Sequence, residues 1–241
     1  MKKVFASGSC RLLTSISDGR NKVIPVHSMY RNFVGKNFLG KFHNTKQHIQ
    51  FIEWIYGKKQ IPEEYYKHIF THVNRTNFPK MARGKESVPD IKREIRKDWF
   101  DCDFYMFEIC STKVYEVNGI QIQHELLKRK PSYQQGGDEI VGDLNHLIDL
   151  LPEKANVLLQ CHFRPNIYKN APKAAIRNRE VIYNSLKKFS DNKPNVILWD
   201  PSQLIKKDRR CIGAEGNHWT PYGHSRNFNN IYDMIKDVNI T

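Results

Sequence analysis

The sequence predicts an α/β fold, a three-layer α/β/α sandwich around a mostly parallel central sheet. Three observations predict it. Short apolar runs recur along the chain, near-continuous as in strands buried on both faces. Between them lie segments with apolar residues at three- and four-residue spacing, as in amphipathic helices. The two kinds of segment alternate through 241 residues, a length that suits one large domain spanning 1–241.

The elements follow in order. Lys3–Ser7 reads as the first strand and leads into Gly8. Lys22–Val26 reads as a second strand at an edge, because Pro25 has no N–H for a ladder. His43–Tyr56 carries Ile49, Ile52, Ile55 and Tyr56 on one helical face, with Gly57 as its stop. Pro62–Phe70 is helical, with Pro62 in the first turn. The whole stretch from about 58 to 97 is basic, polar and Pro-containing, and it reads as a largely helical insertion or cap outside the core. Asp103–Cys110 is a third strand, which Lys113–Val117 either extends or follows as a small hairpin. Asp138–Leu151 is a helix through Ile140, Leu144, Leu147 and Leu151. Asn156–Phe163 is the fourth strand, Ala174–Phe189 a helix and Asn195–Trp199 the fifth strand. Thr220 caps a last helix that has Pro221 at its first position and Phe228, Ile231, Tyr232 and Ile235 on its inner face.

Lys and Arg number 39 against 25 Asp and Glu, a net charge of +14. Such a chain is drawn to polyanions: nucleic acid, an acidic membrane surface or a phosphate-bearing small molecule. Biased genome composition is the competing reading. No apolar run approaches the roughly 20 residues of a membrane span. The opening Met-Lys-Lys-Val-Phe-Ala stretch is not read as a leader, because Arg11 interrupts a very short apolar segment. The cysteines at 10, 102, 110, 161 and 211 are odd in number, scattered and without a Cys-x-x-Cys pair. A reduced, cytoplasmic protein without a zinc cluster is expected. His43 and His48 lie five apart and no His-Glu-x-x-His occurs, so no metal site is expected.

Ligands of open α/β sheets sit beyond the carboxyl ends of the strands. Gly8-Ser9-Cys10 lies there, at a strand-to-helix turn. Gly permits the tight turn, and the helix N-terminus lowers a thiol pKa and offers N–H groups to an oxyanion. Near the other end of the sequence, Glu215 precedes His218 by three residues in a loop closed by Thr220-Pro221. A carboxylate so placed can hold one ring nitrogen of an imidazole while the other faces a nucleophile. Each segment also has a plain structural reading: a small buried Cys, and a capping loop with an incidental His.

Together these segments resemble the SGNH (GDSL-like) hydrolase superfamily, whose fold is flavodoxin-like. That superfamily opens with a strand and a Gly-Asp-Ser turn and closes with Asp-x-x-His before a final helix. Asn37-Phe-Leu-Gly40 resembles its second block, and the strand ending in His162-Phe-Arg-Pro165 resembles its late strand. The Gly-Ser-Cys form is similar to GSCFA-type domains and to capsule-polysaccharide acetyltransferases with Gly-Asn-Cys. The resemblance covers most of the chain, with the specific motifs at its two ends. It departs from the pattern at Cys10 for Ser, Ser9 for Asp, Glu215 for Asp and Arg11-Leu12 for Phe-Ala, and it lacks a Gly-x-Asn-Asp block.

The resemblance implies Cys10 as nucleophile, His218 as base and Glu215 as its orienting carboxylate. It implies oxyanion donors at Cys10 and Gly40, with Ser111 or Thr112 in place of the missing Asn. Ser9, Arg11, Asn37, His162 and Arg164 are candidates for contact with substrate. Ser9 is a weaker alternative as nucleophile. Cys for Ser favours a thioester intermediate, and with it acyl transfer, acetyl by preference, to a carbohydrate or nucleotide-sugar. The donor expected is acetyl-CoA or another acyl-CoA, with no permanently bound cofactor. A carbohydrate O-acyl esterase with the same residues is the first alternative. A basic nucleic-acid-binding module on an inactive fold is the second, although no nucleic-acid motif is present.

Among the remaining signals, His224 is expected to be structural and Asp200 to cap the turn after the fifth strand. The aromatic segment Phe51–Phe70 is read as core before it is read as a platform for a sugar or adenine ring. The basic patch Arg83–Lys97 is read as a solvated face, or as a contact for phosphate.

Overall fold

The computed structural model describes residues 1–27, 38–71, 87–123, 131–164, 173–214, 216 and 218–238. In chain order the elements are β1 (Lys2–Ser7), α1 (Cys10–Asp18), β2 (Val23–His27), α2 (Thr45–Tyr56), α3 (Tyr66–Ile69), α4 (Val88–Trp99) and β3 (Phe104–Ile109). Next come β4 (Lys113–Val114), β5 (Glu116–Val117), β6 (Ile120–Gln121), β7 (Tyr133–Gln134) and α5 (Gly137–Asp149). The chain continues through β8 (Asn156–Cys161), α6 (Lys173–Ser190), β9 (Val196–Trp199), α7 (Ser202–Lys207) and α8 (Pro221–Ile235). The main sheet is parallel throughout, in the order β2-β1-β3-β8-β9. Pro25 lies on edge strand β2, where a missing N–H costs little, and the register with β1 slips between Val4 and Phe5.

Side-chain parity explains the three layers. Successive strand residues point to opposite faces. Phe5, Tyr105, Phe107, Ile109, Val157 and Leu159 enter one core with helices α2, α4, α5 and α6. Val4, Ala6, Phe104, Met106 and Leu158 enter the other with α1, α7 and α8. Both faces of β3 are therefore covered, which is why its sequence shows no alternation: all six residues are buried.

Within the segment read as an insertion, the described residues 58–71 and 87–97 contribute to the core. Val88, Ile91, Ile95 and Trp99 form a buried stripe on α4 and pack with Ile61, Ile69 and Phe70. Lys92, Arg93, Arg96 and Lys97 on the other positions of that helix hide the stripe in any average of composition. Lys92 lays its ammonium 4.4 Å from the centroid of Trp54. Trp54 and Phe70 are buried against each other, so the aromatic segment is core, as expected. The Lys113–Val117 stretch is split between two small antiparallel pairs, β4–β7 and β5–β6.

Two buried histidines tie β1 to its surroundings. His27 Nδ1 lies 2.7 Å from the Ala6 carbonyl, which can only accept, so Nδ1 carries the hydrogen and Nε2 accepts the Leu39 N–H at 3.2 Å. His48 Nε2 lies 3.1 Å from the Glu108 carbonyl, so it donates there and Nδ1 accepts the Ser7 hydroxyl at 2.9 Å. Both rings are thus neutral, and burial pushes each down to about 4. A folded-state value below the ordinary 6.5 means that the unfolded chain binds the extra protons. Stability should be full above pH 6.5 and fall as pH drops toward 4, by roughly 3 kcal/mol per histidine at most. Urea unfolding at pH 7.5 and 4.5 measures this, and the loss should shrink in His27→Gln.

Candidate active site

Chain order places the site before any side chain is considered. The connections leave β1 toward β2 on one side and reach β3 on the other, so the crevice for ligands opens at the carboxyl ends of β1 and β3. Gly8, Ser9 and Cys10 leave β1 at that point.

Ser9 caps α1. Its Oγ accepts the Arg11 N–H at 3.2 Å, and its carbonyl accepts the Leu13 N–H. Its hydroxyl donates to Oε2 of Glu108 at 2.6 Å, and Ser9 is 3% exposed, so it is consumed in the turn. This counts against Ser9 as nucleophile or as a substrate contact. Cys10 is the first residue of α1 and only partly buried. Among the described residues its backbone N–H has no acceptor, as the first turn of a helix dictates.

Cys10 meets His218. Burial pushes the Cys10 thiol up, yet a side-chain hydrogen bond with His218 and the charges of Arg11 and Lys41 bring its pKa below the ordinary value, against the charge of Glu108. The other four thiols all move the other way. Burial pushes Cys102 up to about 12 and raises Cys110, Cys161 and Cys211 as well. No cysteine is in a disulfide.

His218 is exposed and sits on a tight loop. Ile212 and Trp219 form the antiparallel bridge at its base, and Gly213 donates to the His218 carbonyl. Beyond it, Thr220 accepts the Gly223 N–H and starts α8. Helix α8 is pinned by a buried polar network. Asn227 accepts the Trp199 indole N–H and donates to Ser15 and Gln160, while Ser15 also meets His224 Nδ1 at 3.0 Å. His224 is structural, as expected. Glu215 and Asn37 lie outside the described residues.

Gly40 lies beside the turn, since Phe42 donates to the Gly8 carbonyl at 3.0 Å and His27 holds Leu39. A Cβ on Gly40 would come 3.1 Å from Gln123 Nε2 and 3.3 Å from the Ile69 carbonyl, so the position is fitted to glycine. Ser111 is engaged elsewhere. Its N–H donates to the His43 carbonyl and its hydroxyl accepts the Lys113 N–H, which leaves its backbone no donor for an oxyanion.

Arg11 and Arg164 are not open anion receptors. Arg11 is 7% exposed and donates from Nε to Glu108 at 2.7 Å. Arg164 forms an ion pair with Asp200 at 2.6 Å and stacks over Tyr183. Asp200 also accepts the Ser202 N–H, the capping role expected of it. His162 is buried, and burial followed by the nearby Arg11 and Arg179 charges holds it well below the ordinary range. Its Nδ1 has no hydrogen-bond partner. Among the described residues no cluster of His, Cys, Asp and Glu could hold a metal ion, and no helix is long and apolar enough to cross a membrane.

Sequence reasoning missed Glu108. The signal was present, a single carboxylate in a strand otherwise apolar and buried on both faces.

No curated protein matches the chain. Among solved structures it is similar to a carbohydrate esterase of family 3 from Talaromyces cellulolyticus, at 14% identity and a TM-score of 0.44, over 99% of this chain and 100% of that one. It is also similar to an acetyl esterase mutant crystallised with acetate ion, at 14% identity and a TM-score of 0.46, over the same shares of the two chains. The profile of the TviD N-terminal domain matches residues 2–138, more than half of the chain, and the chain belongs to that family.

Proposed function

We propose that this protein is an acyl-group enzyme that transfers an acyl group, acetyl by preference, from a thioester donor to a carbohydrate hydroxyl or amine. One observation carries the reading: Cys10 is the thiol with a lowered pKa, and it is hydrogen-bonded to a histidine from the far end of the sequence. Neither burial nor sequence proximity produces that pairing.

The reaction would run in two halves. His218 takes the thiol proton, and the Cys10 sulfur attacks the acyl carbonyl. The N–H groups of Cys10 and Gly40 stabilise the oxyanion, and Glu215 orients His218. The tetrahedral adduct expels the donor thiolate, which takes the proton from His218 and leaves acyl-Cys10. The acceptor hydroxyl then gives its proton to His218 and attacks the thioester, and the Cys10 thiolate departs and is reprotonated. With an ester as donor the alkoxide leaves in place of the thiolate and takes the proton from His218, and with water as acceptor the outcome is ester hydrolysis. The exposed position of His218 gives water a path to the base, which keeps the esterase reading as the second one.

Incubation with acetyl-CoA or p-nitrophenyl acetate, quenched and digested, should show one acetyl increment on the peptide that contains Cys10. Cys10→Ala should abolish it. An increment on another cysteine, or none with either donor, overturns the reading. Decay of the adduct faster with a sugar acceptor than with water separates transferase from esterase.

A further inference from the structure

Glu108 is fully buried in the middle strand of the sheet and spends both carboxylate oxygens on the turn that carries Cys10. Oε2 accepts the Ser9 N–H at 2.9 Å and the Ser9 hydroxyl at 2.6 Å. Oε1 accepts Nε–H of Arg11 at 2.7 Å. The three donors come from the residues immediately before and after Cys10, so the carboxylate spans the nucleophile. The fit has no slack: a Cβ on Gly8 would lie 2.6 Å from the Glu108 Cβ. Parity requires this placement, since Phe104, Met106 and Glu108 share the face on which α1 packs.

Glu108 neutralises the buried Arg11 cation, but the electrostatics of Cys10 itself gives no reason for the arrangement. The charge of Glu108 opposes ionisation of Cys10, whereas Arg11 favours it. A turn serving only to lower the thiol pKa would do better without the carboxylate. Beyond pairing Arg11, the contribution of Glu108 to Cys10 is therefore geometric. The neighbouring strand thus delivers a carboxylate to the residue just before the thiol.

We propose that Glu108 is a positioning residue for the reaction assigned to Cys10. It holds Ser9 and Arg11 so that the sulfur faces His218, with the Arg11 cation kept beside it. The inference rests on Cys10 being the acyl nucleophile.

The test separates charge from reach. Two quantities are measured on full-length variants: the pH midpoint of Cys10 alkylation by iodoacetamide, and kcat and KM for acetyl release from p-nitrophenyl acetate. In Glu108→Gln the alkylation midpoint should fall, because the opposing charge is gone. On the alkaline plateau kcat should nonetheless fall about tenfold or more, with KM changed less than about threefold. Glu108→Asp should restore the midpoint but not kcat, since the shorter side chain cannot reach Ser9 and Arg11 together. If Glu108→Gln does not fold around an unpaired buried cation, Glu108→Gln with Arg11→Met removes both charges. That double variant should show a raised midpoint and the same loss of kcat. A wild-type plateau kcat in the folded Gln or double variant overturns the positioning role alone. A wild-type enzyme that releases no acetyl while its Cys10 still alkylates at low pH overturns the acyl reading, and this inference with it.

Discussion

His218→Ala should slow acetyl release by roughly 10²–10⁴-fold, the range set by loss of a positioned general base. It should also move the alkylation midpoint of Cys10 upward. The sign follows from the contributions to the thiol. Burial raises its pKa, and the His218 hydrogen bond is the largest of those that lower it. Without that bond, Arg11 and Lys41 alone oppose burial, and less thiolate is present at neutral pH. Alkylation followed by peptide mass spectrometry reads the midpoint directly, with Cys110 and Cys161 as internal references that should stay unreactive. An unchanged midpoint would mean that His218 does not act on the sulfur.

Gly223→Ala should be the most damaging small substitution outside the turn. An added Cβ there would lie 1.9 Å from the Cys211 carbonyl oxygen and 2.8 Å from its carbon. Both are backbone atoms in the strap that leads to the His218 loop, so neither can rotate aside. Forced overpacking of this kind costs about 1–3 kcal/mol, which for a chain of this size lowers Tm by roughly 3–10 °C. Acetyl release should fall by more than that stability loss explains, because Trp219 and Thr220 move with the helix start. Gly19→Ala offers the contrast. Its Cβ would enter the Phe228 ring at 1.9–2.3 Å, far from the loop, so the melting temperature should fall while the turnover of the folded fraction stays near wild type. Calorimetry with matched turnover measurements distinguishes the two.

The strands were legible because their burial leaves a direct mark. The runs read as Asp103–Cys110 and Asn156–Phe163 are observed as Phe104–Ile109 and Asn156–Cys161, each shorter by two residues. Last-helix signals were equally local: Thr220 and Pro221 act through their own backbone, and both sit where the sequence places them. Helix α4 was misread because its buried stripe is four residues among many lysines and arginines, and burial depends on what the helix packs against. Site residues split along the same line. Cys10 and His218 stand out as candidates by their own type and motif. Arg11, Arg164 and Ser111 look available in sequence, and their engagement follows from partners on other strands and loops. Glu108 was overlooked for the same reason, since its three donors lie about 100 residues away.

Helix α8 lies against α1 through Asn227, Ser15 and His224, groups more than 200 positions apart in the chain. During synthesis Cys10 therefore leaves the ribosome long before His218. The sheet can pair strand by strand while α8 is still unmade, and until then Cys10 has no His218 beside it. With the proposed reaction, the order of translation would work as a safety catch. Under that reaction, a half-made chain carries Cys10 before the base that would take its proton.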